Sequence, residues 1–374
     1  MLFRSAMTST HRRWLFLSLL STLILSAVWL ISQRSGQLIE NPKAQPQPPT
    51  AHAEGSVATE PKPPLRTRHD FAETQAALDS ITLAQLTLWL DRCGRTAETL
   101  VAAWELTKDP ALEEELAAKF SNNPLVCLAL LSGKDGMANP VWVERLRKAA
   151  PDHPLPDCLA SAAAAREGNF EAARSMLELA LGKKGRREML TAERMIVVRE
   201  AAAAAGLGER EAAYAPSKVM SNCVQIELEV SRGAMAFIKS AKSEANSGNS
   251  STAEERAATA ISLASHLLQD RGSSLIVEMF NASILKSAAK ILPEDTLLGD
   301  TGGTITDAIK KDAAALEQTG KNVEQLQGFM EFATPAEITA YWDHYMQEGE
   351  SKAIRWAFQR IQAAEPPDPT PLVE

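Results

Sequence analysis

An unbroken apolar run from Trp14 to Ile31, WLFLSLLSTLILSAVWLI, limits what the start of this chain can fold into. Its 18 residues would reach roughly 27 Å as a helix, close to the thickness of a bilayer's hydrocarbon. The run holds no charge, and Arg4, His11, Arg12 and Arg13 precede it with no acid among them. This pattern predicts a cytoplasmic tail at 1–13, a transmembrane signal-anchor helix at 14–31 and export of everything after it. A cleaved secretory signal is the alternative, but its apolar core is usually about 7–15 residues long. Cleavage after Ala27 would also leave Val28 to Ile31 as an apolar stub. Trp14 and Trp29 stand near the two ends, where indoles favour the membrane interface.

Seven prolines fall between Pro42 and Pro64, with few large apolar residues around them. Such a stretch cannot bury enough surface to offset its chain entropy, so 32–70 reads as a disordered, Pro-rich spacer. The rest is rich in Ala, Leu and Glu, with aromatics at 5% of the chain, which favours helices over a sandwich or barrel. A net charge of −8 and the absence of basic patches interleaved with aromatics argue against nucleic-acid binding. The tail from 364 to 374, with Pro366, Pro367, Pro369 and Pro371, reads as disordered.

From Phe71 to Gly206 the chain reads as short helices in series. One helix is expected through ETQAALDSITLAQLTLWLDRC up to Gly94. The next should start at Thr96 as N-cap; Thr99 stands where a full capping box has Glu or Gln, so no full box is expected. Pro110 opens the third, and Glu113, Glu114 and Glu115 read as its solvated face. Two similar breaks, AKFSNNP ending at Pro124 and KAAPDHP ending at Pro154, lie 30 residues apart. That is the local pattern of stacked helical hairpins.

PLPDCLASAAAAREGNFEAARSMLELAL, from Pro154 to Leu181, is the sharpest unit. Helix one ends near Glu167, Gly168-Asn169 makes the turn, and Phe170 to Leu181 forms helix two. This segment resembles the tetratricopeptide repeat. With Pro154 as the first position, Gly168 matches the family's turn glycine and Phe170 the aromatic after it. Ala173 matches the small residue at the helix crossing, and Leu177 and Ala180 the next inward positions. Asp157 and Ala164 depart from the pattern, standing where the family often has Trp and Tyr, so the repeat is degenerate. The clear match covers about 28 residues, and at least about three units should stack. The resemblance implies a binding scaffold with a concave face for a protein or peptide. Arg166, Arg174, Lys183, Lys184, Arg186 and Arg187 would line such a face or, in the plainer reading, remain solvated.

Beyond Gly208 the segments lengthen and lose any period, so 207–363 reads as a helical bundle or a divergent continuation of the array. A long helix is expected from about Pro216, followed by a loop at 247–252 and a capping box at Thr252 and Glu255. The fold class is therefore all-α: transmembrane helix, Pro-rich linker, hairpin array of solenoid type over 71–206, then longer helices.

Motifs for chemistry are sparse. No H-E-x-x-H, G-x-S-x-G or phosphate-binding glycine loop occurs. His344 and Glu348 share a helix face but suggest no third ligand, and His266 lies in an apolar stretch. No catalytic residue, cofactor or metal is assigned. Cys93, Cys127, Cys158 and Cys223 all follow the apolar run; an oxidising compartment would allow two disulfides, with Cys127–Cys158 the first pairing to try, while isolated buried thiols are the competing reading. Asn249 and Asn281 open N-x-S glycan acceptor triplets. The expected partners are the bilayer, through 14–31, and a protein or peptide. The expected function is a membrane-anchored extracytoplasmic scaffold (periplasmic in a two-membrane bacterium). A structural envelope component, and less so a hydrolase with a dispersed site, are the alternatives.

Overall fold

A computed structural model describes residues 68–132, 138–183, 188–268, 274–298, 303–310, 326 and 329–364. The apolar run 14–31 and most of the linker lie outside the described residues. Among those described, no helix is long and apolar enough to cross a membrane.

The described chain is all-α apart from a two-residue antiparallel ladder and an isolated bridge between Ser132 and Ala138. In order, the helices are α1 (Phe71–Asp79), α2 (Leu83–Cys93), α3 (Ala97–Thr107), α4 (Pro110–Lys119), α5 (Pro124–Ala129), α6 (Pro140–Ala149), α7 (Leu155–Arg166) and α8 (Phe170–Leu181). There follow α9 (Glu188–Ala204), α10 (Glu209–Tyr214), α11 (Pro216–Asn246), α12 (Ser250–Leu268) and α13 (Leu275–Ala288). The ladder pairs β1 (Leu297–Leu298) with β2 (Gly303–Thr304), and α14 (Pro335–Glu348) and α15 (Glu350–Ala364) close the chain. Residues 305–310 and 329–332 are also helical.

Side-chain caps explain most of the short helices. Asp70, Asp109, Asn123, Asn139 and Asn169 each accept a hydrogen bond from a backbone N–H in the first turn that follows. Such a cap is worth ~1 kcal/mol. Proline opens α4, α5 and α6, where its missing N–H leaves nothing unpaired.

Three expectations need correction. The helix expected up to Gly94 is two, broken at 80–82, because Thr82 and Gln85 form a capping box that starts a new helix. Thr96 and Thr99 do form a reciprocal box: the Thr99 hydroxyl accepts from the Thr96 N–H at 3.0 Å, so a hydroxyl does the work of Glu or Gln. Thr252 and Glu255 do not, since α12 already starts at Ser250 and the Glu255 carboxylate turns outward to Arg174.

Helix α3 is buried on nearly every side, from Leu100 through Leu106, and α2, α4, α5 and α9 pack around it. A helix apolar all round must lie inside a fold, and LVAAWEL has that composition except at Glu105. The hairpin α7–α8 forms where the Pro154–Leu181 pattern predicts it. Gly168 makes its turn at φ +82°, a conformation that glycine adopts without steric cost. The 31-residue α11 lies along α7, α12 and α13. Contacts also join distant parts of the sequence: α10 packs on both α1 and α14, and α9 returns to α2 and α3.

Candidate interaction surface

The repeat-like residues form a compact core in the hairpin. Ala173, Leu177 and Ala180 are buried on the inner side of α8. Pro154 stands at the N-cap of α7, and Asn169 caps α8 through the Ala172 N–H. Phe170 packs against Phe237 of α11, ring centroids 5.3 Å apart, with the Arg256 guanidinium 4.6 Å from its own centroid. Helices α7 and α11 approach each other closely at Gly233 and Ala162. A Cβ added to Gly233 would fall inside van der Waals contact of the Cα and Cβ of Ala162.

Among the described residues, the cations proposed for a concave face, Arg166, Arg174 and Lys183, are engaged within the chain. Arg166 pairs with the buried Glu229 at 2.5 Å, and Arg232 approaches the same carboxylate at 3.4 Å. Lys183 pairs with Asp157 at 2.5 Å, and Arg147 holds the other oxygen of that buried carboxylate at 2.9 Å. Arg174 joins α8 to α12 through Glu255 and also meets Glu171 at 3.1 Å. Asp157, a departure from the repeat pattern, is thus the point where α6, α7 and the residues just past α8 are pinned. Lys184, Arg186 and Arg187 lie outside the described residues. Glu115 is not simply solvated: Arg95 binds it, with Lys119 at 2.8 Å. The Arg95 hydrogen bond, aided by Lys119, holds the Glu115 carboxyl down to about 2, although partial burial opposes this.

A deeper charge centre lies where α3, α9 and α11 meet. Glu105 and Arg194 are fully buried and bonded to each other, with Lys108 2.7 Å from the same carboxylate and the Asn222 amide donating to it. Burial alone would push the Glu105 carboxyl up; Lys108 and Arg194 outweigh it and hold it below the ordinary carboxylate range. Nothing in the sequence reading singled out this centre. Its one signal was a lone acid in the apolar stretch VAAWELT.

No cysteine is bonded to another in this structure: Cys93 is exposed, and Cys127, Cys158 and Cys223 are buried. The Cys127 Sγ donates to the Ser121 carbonyl at 3.3 Å, and burial pushes its pKa up to about 11. His344 Nδ1 lies 3.1 Å from Glu348 and its ring packs on Trp356, 4.7 Å between centroids. Among the described residues, no group of three or more His, Cys, Asp and Glu could hold a metal ion. The side chain of His266 lies outside the description. Asn249 is exposed, whereas Asn281 is buried and donates to the Ala264 carbonyl at 3.1 Å. A crevice bounded by Phe170, Arg174, Phe237, Glu255 and Arg256 has a free volume of about 20 Å³, room for about one water.

What the surface does offer is apolar area on helices. Leu179 and Leu181 on α8 are each about half exposed, as is Ile196 on α9, and Leu88 on α2 is more so. No family model, curated protein or solved structure matches the chain.

Proposed function

We propose that the protein is a membrane-tethered, extracytoplasmic helical scaffold that recruits another protein, with 71–206 acting as a degenerate repeat-like platform. The observation that carries this reading is the set of ion pairs between helices. Glu105–Arg194 and Arg166–Glu229 each join two helices through a buried carboxylate, and the buried Asp157 of α7 is held by Arg147 of α6 and by Lys183 just past α8. Buried pairs add little net stability, but breaking one is costly, so they favour a single arrangement of the helices over slipped ones. A platform of fixed shape is what recruitment needs, because ordering it on binding would weaken the complex. The apolar run 14–31 supports the tether, and the Pro-rich stretch supports a spacer between membrane and platform.

The test is crosslinking in native membranes, with mass spectrometry of the tagged full-length chain and of a control ending at residue 70. Capture of one partner by the full chain alone is the expected result. No specific capture, with the domain folded and exported, would remove the recruitment reading and leave the structural envelope role.

A further inference from the structure

The last carbonyls of a helix have no partner within it. At the helical turn 329–332 they are met by donors from two remote segments. The Arg210 guanidinium donates to the carbonyls of both Met330 and Ala333. The Tyr214 hydroxyl donates to Met330 at 2.7 Å, and the His69 N–H donates to Glu331 at 2.9 Å. Arg68 binds the Glu331 carboxylate at 2.9 Å. Arg210 and Tyr214 are both buried. Burial raises the Tyr214 pKa well above its usual value, so the hydroxyl remains a donor. A guanidinium fork at a helix C-terminus also meets the negative end of the helix dipole.

Two sets of rings continue the contact on either side of the turn. Phe71, the first residue of α1, packs edge-on to Tyr214 at 5.6 Å. Phe329 turns the other way, 6.1 Å from Tyr341 and 6.0 Å from Trp356. Thr334, two residues past the turn, caps α14. One short segment therefore touches the point where the chain enters the domain, α10 and the C-terminal helix pair.

We propose that residues 329–333 form a latch that couples the entry of the chain (68–71) to the α14–α15 pair, so that the two ends open and close as one unit. The unit opens separately from the α7–α8–α11 core. Hydrogen exchange on the full-length chain in detergent micelles reads such local opening. Arg210→Met should raise exchange on the order of tenfold or more, as loss of bonds to a charged donor implies. The rise should appear together at the amides of His69, Ala333 and Ile338, and leave those of α7, α8 and α11 unchanged. Tyr214→Phe and the exposed Arg68→Ala should give smaller rises at the same amides, and they serve if Arg210→Met fails to fold. A rise confined to one end, or spread evenly over the domain in all three variants, would overturn the latch.

Discussion

Where α11 crosses α7, the contact is Gly233 against Ala162; where α14 and α15 meet the turn 329–332, it is Phe329, Tyr341, Tyr345 and Trp356. The first junction brings backbones together and leaves no room for an added methyl. The second fills its space with rings, and removing one leaves a cavity. Interiors are close-packed in either case, but the two regions fail in opposite ways.

The largest effect should come from the charge centre, which shares α11 with the first junction. Arg194→Met removes one of the two cations that hold the buried Glu105, leaving Lys108 and Asn222, and should cost about 3 kcal/mol, read by denaturant unfolding. Replacing both, Glu105→Leu with Arg194→Met, should recover most of that loss. If it did not, the pair would be adding stability rather than selecting an arrangement. Next, Tyr341→Ala should cost about 3 kcal/mol through the cavity it leaves among the rings. An equal loss of protection in α7 and α8 would show that the two regions form one cooperative unit. Thr334→Ala removes the capping box of α14 and should cost ~1 kcal/mol, felt by the aromatic region alone.

The smallest effect is at Glu115. Its folded pKa is depressed, so its contribution is present above the unfolded value and lost as pH falls. The window runs from the ordinary value near 4.5 down to about 2. Glu115→Gln should flatten the acid side of the stability curve there. Because the pair is partly exposed, added salt should shrink the difference.

Local signals in the sequence located elements well and partners poorly. Pro154, Gly168 and Asn169 set the bounds of α7 and α8 because prolines, turn glycines and caps act over a few residues. The break at 80–82 was hidden because Ile81, itself buried, continues the apolar pattern across it. Thr252 and Glu255 have the spacing of a capping box, yet Glu255 finds Arg174, 81 residues away. Arg166 and Lys183 look like free surface charges until α11 and α7 bring Glu229 and Asp157 to them. The latch was equally invisible, because its acceptors are backbone carbonyls and carry no sequence signature.

Backbone-close packing of α7 against α11 fixes the platform together with the ion pairs, and Gly233→Ala tests it most directly. In an exposed helix interior that change stabilises by about 1 kcal/mol. Here the new Cβ collides with the Cα of Ala162 as well as its Cβ, so Ala162→Gly should not restore the fit. Denaturant unfolding of the full-length variant should show a lower midpoint with an unchanged slope, a stability loss of about 1–3 kcal/mol. A midpoint equal to or above that of the parent chain would contradict the close approach of α7 and α11, and with it the fixed platform.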